Sequence, residues 1–230
     1  MRTDGKFRFG TGYVDAASGI KFVGYHPALH PAQWRTYLDG AQESYQKHGV
    51  GSIEWQRYVT GDGVLLFFIG YDQQGEAVAG IRFHGPLAGV EETSLIEEMA
   101  ASQDISLIRD VVSQACNEGS IEVKGMWSDG ARAVGASMMS SLIRSILVAL
   151  EWLGIENALA TCADRMLVLK EYSGAELIGE HPVAWPDERY RTVLVKFSRS
   201  RSPFVCAREH AEALASDIAQ LESGAVTAHA

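Results

Sequence analysis

IEVKGMW (121–127), the loop SDGARAVGAS (128–137) and the run MMSSLIRSILVALEWL (138–153) decide the fold. The first is short, mostly apolar and strand-like, with Gly125 loosening its middle. The last places Met138, Leu142, Ile146, Ala149 and Leu153 on one stripe at helical spacing, and Gly154 supplies a stop. ENALATCA (156–163) then reads as a second strand. Strand, tight loop, helix, strand is the unit of an α/β protein.

Working outward, the same periodicities continue. Upstream, VLLFFIGY (64–71) and EAVAGIRFHG (76–85) flank the turn Asp72–Gly75 and predict a hairpin. Residues 88–119 carry two helical patterns, near Glu91–Met99 and Asp104–Cys116. The second has Ile105, Ile108, Val111, Val112 and Ala115 on one face, and Gly119 ends it. Further back stand a short strand at Ile20–Tyr25 and a helix ending near His48 with Trp34, Tyr37, Leu38, Ala41 and Tyr45 inward. A second short helix falls near Ile53–Val59. Downstream come a helix in DRMLVLKEYSG (164–174), strands in AELIGEH (175–181) and YRTVLVKF (190–197), and an amphipathic helix over Ala207–Glu222. The expectation is one α/β domain, a mixed central sheet flanked by helices over 20–198, with 88–119 as a helical insertion. A loose Gly-rich arm (1–19) precedes it. A C-terminal helix and a tail fraying over its last eight residues (199–230) follow.

Composition narrows the function. A net charge of −9 over 230 residues, with no basic stripe interleaved with aromatics, argues against nucleic acid. Cys116, Cys162 and Cys206 are odd in number and never in a C-x-x-C pair, which fits free thiols rather than a zinc site or a disulfide frame. The N-terminus lacks the apolar run of a signal peptide, and the apolar stretch at 145–153 is interrupted by Glu151 and too short to span a bilayer. A cytoplasmic protein without membrane insertion is expected. His26 and His30 are four apart, but Pro27 and Pro31 oppose a shared metal on a regular helix, so no metal is expected. G-x-S-x-G, G-x-x-x-x-G-K and H-E-x-x-H are all missing.

Chemistry enters through the loop. Phosphate oxygens bind backbone N–H groups converging at a helix N-terminus, and small residues let the backbone approach them. Arg132, Ala133, Val134, Gly135, Ala136 and Ser137 supply those parts, with Ser137 also suited to N-cap the helix. Here the chain resembles the GNAT superfamily of N-acyltransferases, whose pyrophosphate loop reads Arg or Gln, two residues, Gly, one residue, then Gly or Ala. Ser137 departs at the last place. The resemblance implies a GNAT-like fold and an acyl-CoA, or the acyl-phosphopantetheine of an acyl carrier protein, as donor substrate. A small amine such as an amino acid would be the acceptor, and a homodimer is left open.

Within that superfamily, AGIRFHGPL (79–87) and EVKGMWSD (122–129) resemble the signature strands of acyl-homoserine-lactone synthases and N-acyl amino acid synthases. Arg82, Glu122 and Asp129 match; Gly125 stands where that branch has Arg, and Met126 where it has Phe. The resemblance implies that the backbone amide near Met126 or Trp127 polarises the thioester carbonyl. Glu122 reads either as general base, directly or through water, or as a strand-end carboxylate facing solvent or an Arg. Arg82 and His84, two apart and so on one strand face, either meet an acceptor carboxylate or are solvated. The family's general-acid Tyr would fall at Lys170; Tyr172, shifted by two, is either that acid or a packing phenol. Cys162 sits at a strand end near the thioester, with no local His to activate it. The apolar faces of 88–119 are expected to be covered by the sheet edge or the C-terminal helix, or by an acyl tail longer than acetyl running between the insertion and the strand of Phe83. The rival to an enzyme is a non-catalytic acyl-thioester-binding or protein-interaction module on the same fold.

Overall fold

The computed structural model describes residues 7–49, 60–129 and 135–227. Nine strands form one sheet in the order β7-β8-β6-β5-β4-β3-β2-β1-β9. In chain order the elements are β1 (Thr11–Val14), β2 (Lys21–Tyr25), α1 (Pro31–Lys47), β3 (Val64–Tyr71), β4 (Ala77–His84), α2 (Leu95–Glu98) and α3 (Ile105–Glu118). Then follow β5 (Ser120–Ser128), α4 (Gly135–Leu153), β6 (Asn157–Ala163), α5 (Lys170–Ser173), β7 (Glu176–Val183), β8 (Thr192–Ser198), α6 (Ser202–Val205), α7 (Arg208–Ser223) and β9 (Val226–Thr227). The mixed α/β sheet, the hairpin, the insertion and the C-terminal helix are present where the periodicities placed them. The helix expected near Ile53–Val59 lies outside the described residues.

Every strand pair is antiparallel except β5–β6, which the α4 crossover joins in parallel. Strand alternation divides the core. Leu66 and Phe68, Ile81 and Phe83, Ala158 and Ala160, and Val195 and Phe197 meet α4 on one face. On the other, Phe67, Ile69 and Trp127 pack under α1, and Leu159, Ile178 and Leu194 pack under α2 and α3. That second face is therefore covered by two separate lids. β5 runs between them.

Two boundary expectations need correction. Within the expected arm 1–19, the described residues are not loose: β1 pairs with β2 and β9, and Tyr13 is fully buried against Phe22 and Phe68. Asp15, just after β1, pairs with buried Arg144 of α4, whose Nε also bonds Asp217 of α7 at 2.6 Å. One guanidinium thus ties both chain ends to the central helix. Val226 and Thr227, in the tail expected to fray, pair instead with β1. The helix read from 164–174 is tighter at its start, with a 3-10 segment over Asp164–Leu169 before α5.

Candidate active site

The parallel pairing of β5 and β6 ends after three pairs, Ser120↔Asn157, Ile121↔Ala158 and Glu122↔Leu159. Both strands run on, β5 to Ser128 and β6 to Ala163, so they part into a wedge. α4 begins beyond the β5 end of that wedge. Its first turn carries no acidic side chain to repel an anion.

Within β5 the backbone bulges. Across from β4, Gly80 faces Trp127 and Arg82 faces Lys124, so β5 carries one residue more than its partner. Gly125 takes a φ of +58° there, and its carbonyl accepts a 2.6 Å hydrogen bond from Tyr37 of α1. A Cβ at 125 would stand 2.3 Å from the Tyr37 hydroxyl and 3.5 Å from the Arg82 guanidinium. No side chain can grow from 125 without displacing that phenol. The Arg82 guanidinium of β4 lies beside this bulge.

Glu122, His84 and Arg82 lie together on the face away from α4; His84 and Glu122 are direct cross-strand partners. The Glu122 side chain is buried, not solvent-facing. Its Oε1 accepts from Ser94 Oγ at 2.8 Å and lies 3.0 Å from Lys124 Nζ. Lys124 also bonds Glu98 Oε1 at 2.5 Å, and the other oxygen of Glu98 accepts from Thr161 Oγ1 of β6 at 2.5 Å. Burial disfavours an ammonium here, but Glu122 and Glu98 outweigh it and raise the Lys124 pKa, so Lys124 is a cation. Burial, with Arg82 and Lys124 nearby, lowers the His84 pKa to about 3. Its imidazole is neutral and too weakly basic to take a proton at neutral pH.

Ser94, Glu98, Lys124 and Thr161 escaped the sequence reading. Lys124 carried a usable signal, since it stands two residues from Glu122 on one strand face. Ser94 and Glu98 share a face at i,i+4, and their Oγ–Oε1 bond is 2.9 Å, but what they meet is purely tertiary.

Other expected site residues are placed differently. Arg132, Ala133 and Val134 lie outside the described residues. Gly135 opens α4, so Ser137 is inside the first turn rather than its N-cap, and its carbonyl accepts from Ser141. Met126 packs toward the α4 core, while the Trp127 indole is wedged between α1 and β4. A Cβ at Gly40 or Gly80 would come within 2.3 or 2.4 Å of that indole. Tyr172 stands apart from Glu122: its ring packs edge-on against His210 of α7, centroids 4.9 Å apart. Burial and then Asp164 push the Cys162 thiol up to about 11, so it stays protonated. The long acyl groove is corrected too. Leu95, Met99, Ile108 and Val112 are buried against β6, β7 and β8, and Phe83 points to the opposite face. Among the described residues no group of three or more His, Cys, Asp or Glu is placed to hold a metal. No described helix is long and apolar enough to cross a membrane.

This architecture is the GNAT acyltransferase fold. FeeM, an N-acyl amino acid synthase from uncultured soil microbes, superposes with a TM-score of 0.62 at 10% identity, over 81% of this chain and 95% of that one. An acyl-CoA N-acyltransferase from Pseudomonas aeruginosa gives 0.54 at 14% identity, over 78% and 99%. BjaI, a CoA-dependent acyl-homoserine lactone synthase, gives 0.53 at 12% identity, over 87% and 90%. At these identities the likeness is one of fold. No protein-family model matches the sequence. Uncharacterised proteins of Mycobacterium tuberculosis (Rv1356c) and Mycobacterium bovis (Mb1391c) are 31% identical over 181 residues, 78% of this chain and 69% of theirs. The chain belongs to the family of these mycobacterial proteins.

Proposed function

We propose that the protein is an N-acyltransferase that moves an acyl group from an acyl thioester, on coenzyme A or an acyl carrier protein, to a small amine such as an amino acid. The observation that carries this is the wedge: β5 and β6 part after Glu122↔Leu159, with the α4 N-terminus at its end and Glu122 on its far face. The loop of Arg132, Ala133 and Val134 with the first turn of α4 (Gly135, Ala136, Ser137) would hold the donor phosphates. The thioester would reach into the wedge beside the Met126–Trp127 backbone, whose N–H would polarise the carbonyl. The amine nitrogen attacks the carbonyl carbon, the C–S bond breaks, and the nitrogen's proton leaves toward Glu122, directly or through water. Arg82 would hold an acceptor carboxylate. Tyr172 packs away from Glu122, so the proton for the departing thiolate is assigned to water. The free cysteines fit a cytoplasmic protein.

One observation favours the rival binding module. Both oxygens of Glu122 already accept hydrogen bonds from Ser94, and Oε1 lies 3.0 Å from Lys124 Nζ. A carboxylate so engaged has little free lone-pair capacity left for an amine or a water. Thiol release from a panel of acyl thioesters with pooled amines separates the two readings. Release that depends on the amine supports the enzyme, and tight donor binding without release supports the module.

A further inference from the structure

The wedge is closed on one face. Lys124 and Thr161 lie two residues beyond the last β5–β6 pair, one on each parting strand, and their side chains project to the same side. The Glu98 carboxylate spans them, one oxygen 2.5 Å from Lys124 Nζ and the other 2.5 Å from Thr161 Oγ1. Ser94, just ahead of α2, places its Oγ 2.9 Å from Glu98 Oε1. The helical insertion thus places a charged strap across the opening, with side-chain exposures of 12% for Glu98 and 15% for Lys124.

We propose that Glu98 sets the acyl-chain length of the donor by ending the channel at this strap, an inference that rests on the acyltransferase reading. A chain extending from a thioester in the wedge has two directions. Toward α4 it meets Val123, Ala160 and Met126, already packed against the helix in one continuous core. Toward the insertion, among the described residues, it meets Lys124, Glu98 and Thr161 first. Methylenes pressed against those groups would separate charge-assisted hydrogen bonds without replacing them, which costs more than burying the methylenes returns. Leu95, Met99 and Leu159 fill the apolar space behind, with exposures of 0–1%. The channel therefore stops at a polar wall, and a short acyl group fits it.

Shortening Glu98 opens that wall without stranding a charge, because Lys124 keeps Glu122 at 3.0 Å. The test is kcat/KM across an acyl-CoA series from acetyl to dodecanoyl, with pooled amino acids, for the full chain and its variants. Wild type should favour the shortest donors. Glu98→Ala should move the optimum by about two methylenes, with roughly fourfold gained for each newly buried CH2. Glu98→Ser, which shortens the side chain but keeps a polar group for water, should shift it in the same direction and serves if the alanine variant fails to fold. Glu98→Gln, equal in size, should keep the wild-type optimum. Wild type and both shortened variants sharing one optimum would overturn the proposal and leave the acyltransferase standing. A folded wild type that releases no thiol from any donor would remove both.

Discussion

Glu122 and Lys124, two residues apart on β5, point to one face of the sheet and form a buried ion pair of 3.0 Å, and Lys124 shares itself with Glu98. Two carboxylates around one ammonium make that ammonium the group whose loss is hardest to absorb. Lys124→Met should leave both acids facing each other in a dry site and cost about 3–5 kcal/mol, the range seen when one partner of a buried pair is removed. Denaturant unfolding near neutral pH checks this. A loss below about 1 kcal/mol would mean that water reaches the pair.

The bulge makes a second prediction. Gly125→Ala forces a side chain into positive φ and against the Tyr37 hydroxyl, so it should destabilise by about 2–4 kcal/mol, conformational strain supplying about 1–2 of that. Tyr37→Phe removes the clashing oxygen. In a double-mutant cycle the alanine should then cost measurably less. Additive losses would show that the phenol and residue 125 do not meet.

Much of this frame was legible because it is local. The helix at 135–153 announces itself through five apolar positions at helical spacing, and β3 and β4 through runs of β-branched and aromatic residues around one turn. β1 was not legible. TGYV is four residues in a Gly-rich stretch, held by β2, β9 and a buried Arg144 more than a hundred positions away. The site divides the same way. Glu122 and Arg82 were singled out through the resemblance of their strands to the synthase signatures, and the α4 N-terminus through loop composition. Glu98 could not be, since its partners on β5 and β6 come together only when the insertion folds back over them.

The phosphate loop is tested by binding alone. Gly135→Val should raise the Kd for coenzyme A or the acyl carrier by at least about tenfold, because a branched side chain at the first residue of α4 keeps phosphate from its N–H groups. The circular dichroism spectrum should stay native. Unchanged affinity in calorimetry would take the loop out of the account.

His210 gives a pH prediction of definite sign. It is fully buried, and neither ring nitrogen has a hydrogen-bond partner. Burial and then Arg144 lower its pKa to about 4. Between about pH 6.5 and 4 the unfolded chain therefore binds a proton that the folded one refuses, so this residue's contribution to stability falls as pH falls. Burial raises Asp217 to about 6, which acts in the opposite direction in wild type, so the difference between two proteins is the useful quantity. His210→Phe keeps an aromatic ring against Tyr172 and removes both unsatisfied nitrogens. It should match wild type or better at pH 7.5, and its advantage should grow by about 2 kcal/mol at pH 5. A gap that does not widen would mean that His210 titrates normally.

The most direct test of the central claim is mass-spectrometric identification of the product when the protein meets an acyl-CoA mixture and the free amino acids. The account predicts a new amide equal in mass to the free carboxylic acid plus the acceptor less water, formed at a rate that falls about a hundredfold or more in Glu122→Gln. That loss should shrink at high pH, where the amine deprotonates unaided. Amide formation undiminished in Glu122→Gln would make Glu122 a structural carboxylate. No amide from the native protein with any donor, despite measurable donor binding, would contradict the acyltransferase itself.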